Sequence, residues 1–171
     1  MACGVIKMKH SKKNYEDFSL SLALFDALPV IFFSLAVLLI AIRFQNLLFI
    51  TGAILCVCAG LGKVIWKIIL AASRRDIVWL NRQLRFLMPT GFLLIILGIL
   101  TGLRRISFAA LLADILAFPA ILCFSVTLLG MVLMSIFAFT LDASKARSNW
   151  IEQITNAIAQ GCFLLGVILC I

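Results

Sequence analysis

Long apolar runs alternate with short charged breaks along the whole chain. Five stretches contain no Asp, Glu, Lys or Arg: Ala27–Ile42, Phe44–Gly62, Phe86–Leu103, Ile115–Leu141 and Gln153–Ile171. A helix needs about 20 predominantly apolar residues to cross the hydrocarbon core of a bilayer, and each run is roughly that long. The pattern therefore predicts an all-α fold, a polytopic integral membrane bundle of about five transmembrane helices.

The first two spans are predicted to form an antiparallel hairpin. Span one covers about Leu20–Ile42 and span two about Leu47–Leu70. Only the segment Arg43-Phe-Gln-Asn46 separates them, which is too short to reach a distant helix. Span three follows at Phe86–Leu103, with Pro89 near its start, where the missing backbone donor costs a helix little.

The region from Arg104 to Leu141 is too long to be one straight span. As a single helix it would extend about 55 Å, whereas the hydrocarbon core is about 30 Å thick. Pro119 lies inside it and is expected to break the helix. We favour an amphipathic segment, Arg104–Phe118, at the outer face, followed by span four at Pro119–Leu141. A single tilted and kinked span is the alternative.

The composition leaves little room for a soluble domain. Hydrophobic residues make up 64% of the chain, whereas soluble domains contain about 45–50%. We expect residues 1–17 to be a cytoplasmic basic tail and residues 18–171 to be a single transmembrane domain. Most of the six cysteines lie in apolar runs, where cysteine behaves as a small hydrophobic residue.

The net charge of +8 follows the positive-inside rule. If the N-terminus is cytoplasmic, only Arg43, Arg104 and Arg105 lie outside, and all other Lys and Arg residues lie inside. This bias predicts an N-in, C-out topology for five spans. A nucleic-acid partner is not expected, because the chain has no basic surface with interleaved aromatic residues on a folded domain.

The inner loop Ser73–Arg85 has apolar residues at near-helical spacing opposite its arginines. This arrangement predicts a basic amphipathic helix on the cytoplasmic membrane surface, and a solvated loop is the alternative. Its candidate lipid-contacting or partner-contacting residues are Arg74, Arg75, Arg82 and Arg85.

No catalytic or cofactor motif is present in the sequence. His-Glu-x-x-His, Gly-x-Ser-x-Gly and phosphate-loop patterns do not occur, and His10 is the single histidine, so axial haem ligation is not expected. Asp26 and Asp114 are predicted on opposite leaflets, which argues against an aspartyl dyad. We therefore predict no cofactor, no metal site and no catalytic residues, and an enzyme is the less favoured reading.

The candidate polar centre consists of Asp26, Lys63, Asn156 and Gln160. Asp26 and Lys63 are predicted at one depth on neighbouring helices, where an ion pair would lower the cost of burying both charges. Gln153, Asn156 and Gln160 recur at helical spacing and form an amide stripe. These groups either converge on one inner-leaflet pocket or only hold helices together.

Two functions remain open from the sequence. The membrane-depth polar residues favour a small permease, channel-like protein or transporter subunit in the plasma membrane. The alternative is a scaffold or regulatory subunit that binds lipid or a partner protein through its basic loop. Besides the lipid bilayer, we expect a second copy or a partner membrane subunit, because five spans with few polar residues are a small basis for a solitary transporter.

Overall fold

The structure is a computed structural model that describes residues 20–73, 77–102, 108–141 and 145–171. Every element in these ranges is an α-helix. In chain order they are α1 (Leu20–Phe25), α2 (Ala27–Phe44), α3 (Leu47–Ser73), α4 (Val78–Arg82), α5 (Leu84–Gly102), α6 (Phe108–Leu116), α7 (Ala120–Thr140) and α8 (Ala146–Leu169).

Five helical segments are long and apolar enough to cross a bilayer. The first combines α1 and α2, and the others are α3, α5, α7 and most of α8. The prediction of an all-α polytopic membrane fold is therefore confirmed. The predicted tail at residues 1–17 lies outside the described residues, and the N-in, C-out orientation stays a prediction.

The spanning helices are arranged in the order α5, α3, α2, α8, α7. Helix α2 packs between α3 and α8, α5 packs on α3, and α7 packs on α8. The neighbours α2 and α3 form the predicted hairpin. Its turn uses Gln45 in the left-handed region, with φ of 44°. The Asn46 side-chain oxygen then accepts hydrogen bonds from the backbone N–H groups of Leu48 and Phe49 at the start of α3.

Glycines bring α3 and α5 into backbone contact. A Cβ atom built on Gly98 would lie 2.5 Å from the backbone nitrogen of Phe49, and one on Gly52 would lie 2.6 Å from the backbone oxygen of Gly91. A larger residue at either position would have to move backbone, so glycine sets the distance between these helices. Small residues permit such close approach in membrane bundles, where packing and polar contacts drive helix association.

The region from Arg104 to Leu141 is broken, as the favoured interpretation expected. Helix α6 ends at Leu116, and α7 begins at Ala120, directly after Pro119. A short helix followed by a separate span is therefore observed in place of one continuous helix. Residues 103–107 lie outside the described residues.

The inner loop differs from the predicted single amphipathic helix over Ser73–Arg85. Helix α3 continues through Ser73, α4 spans only Val78–Arg82, and α5 already begins at Leu84. Residues 74–76 lie outside the described residues. The location of this loop at the cytoplasmic membrane surface stays a prediction.

Candidate functional site

A buried ion pair joins the first two spans. Asp26, between α1 and α2, places its Oδ2 atom 2.7 Å from Nζ of Lys67 on α3. The Asp26 side chain is 8% exposed and the Lys67 side chain 11% exposed. The carboxylate and the ammonium group thus neutralise each other where neither is well hydrated, which fastens the start of α2 to α3.

The prediction that Asp26 pairs with Lys63 is wrong, because the paired lysine, Lys67, lies one helical turn further along α3. Lys63 and Lys67 are four residues apart and share one face of α3. Counting residues inward from the hairpin turn locates a side chain only to about one helical turn, and the two lysines are about 6 Å apart along the helix axis, close to that limit. Lys63 and Glu152 both lie within electrostatic range of Lys67. These two acids and two bases form a cluster with no net charge.

A cavity of about 350 Å³ lies near the middle of the bundle. All five spanning segments contribute to its wall, for example through Phe33 on α2, Gly60 on α3, Phe92 on α5, Met131 on α7 and Gln160 on α8. The wall is mostly apolar. Its volume lies at the small end of the range of about 300–1,000 Å³ that is typical of sites for small molecules.

Two amide side chains that line this cavity have no partner among the described residues. Asn156 and Gln160 lie four residues apart on α8, so both face the same side of the helix. Neither makes a hydrogen bond to any residue that the structure describes. By contrast, the hydroxyl of Thr127, also in the wall, donates to the backbone oxygens of Cys123 and Ala159. Among the lining side chains that the structure describes, the two amides are therefore the ones whose N–H donors are free for a ligand.

Aromatic rings from three helices form another part of the wall. The ring centre of Phe33 lies 6.3 Å from that of Phe92 and 6.4 Å from that of Phe163. These distances fall within the range of about 4.5–7 Å at which aromatic pairs interact. Phe33 thus links α2 to both α5 and α8, and the cavity presents ring faces and edges as well as amides.

The four residues of the predicted polar centre do not all meet in one pocket. Asn156 and Gln160 line the cavity. Asp26 lies three residues before the lining residue Pro29, and Lys63 three residues after Gly60. The two charged residues thus occupy a layer about one helical turn from the cavity, towards the end of the bundle that is predicted to be cytoplasmic.

The aromatic part of the wall is not predictable from the sequence. The chain contains 14 phenylalanines, and an apolar residue on a spanning helix has the same sequence signature whether it faces lipid or a cavity. Gln153 belongs to the predicted amide stripe but not to the predicted polar centre. Its Oε1 atom is buried and has no partner among the described residues.

The loop arginines are only partly within the described chain. Arg82 and Arg85 are exposed, whereas Arg74 and Arg75 lie outside the described residues. Their contact with lipid or a partner stays a prediction. Within the described ranges, no group of three or more His, Cys, Asp and Glu side chains is arranged to hold a metal ion.

In comparisons with known proteins, no family model, no curated protein and no solved structure matches this chain.

Proposed function

We propose that the protein is a small multi-pass permease or transporter subunit of the plasma membrane that binds a small molecule in its central cavity. The observation that supports this most is the pair of unpartnered amides, Asn156 and Gln160, in a cavity to which every spanning segment contributes. A site formed by all five segments can change shape when any of them moves, which is what a carrier requires.

An unpaired amide inside a membrane bundle is energetically costly. A polar group taken out of water without a hydrogen bond loses about 1–3 kcal/mol in protein mutational data. Lipid chains offer no hydrogen bonds, and leucine at either position would avoid the cost. The two amides therefore fit a role in which a bound molecule supplies the missing hydrogen bonds.

The ion pair has a supporting role in this proposal. Asp26 and Lys67 satisfy each other and hold the start of α2 against α3, so that Pro29 and Gly60 keep their places in the cavity wall. Lys63, about one helical turn from the cavity, is a candidate to line the route between the cavity and the cytoplasm. A second copy of the chain or a partner membrane subunit is expected to complete the transporter.

Flux through proteoliposomes tests the proposal. The solutes are a radiolabelled neutral amino acid, a monosaccharide, a nucleobase, an aromatic ketone glycoside and rubidium ion. We expect at least one to cross faster than through protein-free liposomes. For any of the four organic solutes, the double variant Asn156→Leu/Gln160→Leu should slow that flux about tenfold, because two hydrogen bonds to the solute are lost.

Ser135→Ala is the matched control for this experiment. Ser135 is an exposed polar residue of α7 whose hydroxyl donates to the backbone oxygen of Met131 in its own helix, and its replacement should leave flux unchanged. If none of the solutes moves faster than in protein-free liposomes, and a membrane-soluble aromatic ketone moves no faster either, the proposal that this chain transports as a homo-oligomer is wrong.

The second candidate function is a scaffold that binds anionic lipid through its basic loop. Arg82 is the last residue of α4 and Arg85 lies in the first turn of α5. Both are exposed, and arginines near the end of a span attract anionic headgroups. Native mass spectrometry of the protein with phosphatidylglycerol would favour this function if Arg82→Ala/Arg85→Ala lost bound lipid while the cavity variants carried no defect of any kind.

A further inference from the structure

The cavity has an open side between α5 and α7. Both helices contribute to its wall, yet α5 packs on α3 and α7 packs on α8, without substantial contact between the described parts of α5 and α7 themselves. Phe92 on α5 is 43% exposed and Met131 on α7 is 51% exposed, although both line the cavity. The gap lies at mid-helix in both segments, which is the depth of lipid chains.

The layers on either side of the cavity are filled between α2 and α3. Towards the hairpin turn, Val37, Ala41 and Phe49 form a buried core. Towards the other end, the Asp26–Lys67 pair bridges the same two helices, and the Gln83 side chain packs against Gly62. The side between α5 and α7 is therefore the more open route, and it leads into the bilayer.

The wall also restricts the chemistry of what enters. Its described residues include no Asp, Glu, Lys, Arg or His, so nothing there would compensate an ionic ligand for its lost hydration. The rings of Phe33, Phe92 and Phe163 suit a flat apolar frame. The amides of Asn156 and Gln160 can each donate to a carbonyl and accept from a hydroxyl.

We infer that the ligand is an uncharged amphiphile, an aromatic or similarly flat molecule with a carbonyl or hydroxyl group, which reaches the cavity from the bilayer through the gap between α5 and α7. This inference rests on the proposed function and names its substrate class. The polar group binds Asn156 and Gln160, and the ring system lies against the phenylalanines.

Benzophenone is a suitable probe, because it is an uncharged aromatic ketone that inserts into nearby C–H bonds on irradiation. The full chain in lipid nanodiscs is irradiated with increasing benzophenone, and labelled positions are mapped by peptide mass spectrometry. We expect saturable labelling of Met88 and Met131, the methionines that line the cavity. Menadione, an uncharged naphthoquinone, should compete, and Asn156→Leu/Gln160→Leu should weaken apparent affinity about tenfold.

Charge and route are tested separately. Benzophenone-4-carboxylate, which is anionic, should not label the cavity saturably. Met131→Trp narrows the gap and should abolish saturable labelling of Met88. Val132→Trp is the matched control, because Val132 is adjacent, similarly exposed at 49% and absent from the cavity wall, and it should leave labelling unchanged.

Three results would overturn the inference. The first is labelling that never saturates, or that the Asn156→Leu/Gln160→Leu variant does not weaken. The second is preferential labelling by the anionic probe. The third is a gap filled by a second copy, seen as Phe92→Cys chains that form an inter-chain disulfide more readily than wild type and lose Met88 labelling. If proteoliposome flux of a water-soluble solute persists alongside any of these, the proposed function stands and only its substrate class fails.

Discussion

Two groups of polar residues inside this apolar bundle differ in whether they have a protein partner. Asp26 and Lys67 satisfy each other at 2.7 Å, near one end of their helices. Asn156 and Gln160 lie nearer the middle, face a cavity and have no partner among the described residues. The depth of a polar residue in the membrane thus does not identify a ligand site. The absence of a partner beside an open volume is the more informative feature.

The difference follows from what each group costs. A charged side chain at the centre of a spanning helix costs about 2.5–3.5 kcal/mol on insertion scales, so an unpaired Asp26 or Lys67 would threaten the fold. An amide is neutral and costs less, so it can stay unpaired until a ligand arrives. We therefore expect the ion pair to serve stability and the amides to serve binding.

The largest expected effect comes from removing one member of the ion pair. Lys67→Met removes the direct ion-pair partner of the buried Asp26 carboxylate and should lower the free energy of unfolding by about 3–5 kcal/mol. Unfolding by SDS in mixed micelles, followed by circular dichroism, measures this. The double variant Asp26→Leu/Lys67→Met should recover most of the loss, because no charge is then stranded.

Lys63→Met provides the matched control for that experiment. Lys63 lies one turn away on the same helix but is not the residue paired with Asp26. Its substitution should change the free energy of unfolding by less than about 1 kcal/mol. An equal loss for both lysines would mean that the pair is not specific, and the two polar groups would then differ less than proposed.

The next largest effect is expected for α5, a helix that lines the cavity but contributes no residue to the ion pair. Gly98→Ala should push α5 away from Phe49 on α3 and lower stability by about 1–3 kcal/mol. Since α5 lines the cavity and has no part in the ion pair, saturable benzophenone labelling of Met88 should fall as well. Gly161→Ala is the control, because its Cβ would meet the Phe32 ring at an ordinary 3.6 Å. A Gly98→Ala variant that loses stability but keeps saturable labelling would show that the position of α5 does not affect ligand binding.

A smaller effect, opposite in sign to that at Lys67, is expected at the amides. Gln160→Leu removes an unpartnered polar group and adds apolar volume, so the free energy of unfolding should stay the same or rise by up to about 1 kcal/mol. Binding should weaken in the same variant. A loss of about 2 kcal/mol or more would show that Gln160 supports helix packing, and the amides would then resemble the ion pair.

The sequence is sufficient to predict the helices but not how they are rotated relative to one another. Apolar runs and the short turn after Arg43 predicted the spans and the hairpin, because segment length and hydropathy are properties of each helix alone. Pro119 similarly marked the break before α7. The choice between Lys63 and Lys67 depended on rotation and depth to within one turn, which periodicity does not provide.

The candidate site shows the same limit. The i, i+4 spacing of Asn156 and Gln160 predicted a shared polar face on α8, and both residues do line the cavity. The opposite wall, including Phe33 and Phe92, depends on which faces of α2 and α5 turn inward. Those faces are set by contacts between helices, such as Gly98 against Phe49. Single-helix patterns carry no information about such contacts.

The smallest predicted effect tests whether a partnered polar residue in the cavity wall behaves like the ion pair or like the amides. Thr127 donates to the backbone oxygen of Ala159 across the α7–α8 contact, at 3.2 Å. Thr127→Val keeps the shape and removes this bond, so stability should fall by about 0.6 kcal/mol, the average for interhelical hydrogen bonds in a membrane. Ser135→Ala, which loses a bond only within its own helix, should fall by less. Benzophenone labelling of Met88 should be the same in Thr127→Val as in wild type, because the hydroxyl is already engaged by protein. Weakened labelling would instead make Thr127 a ligand contact, and having a protein partner would no longer separate structural from binding residues.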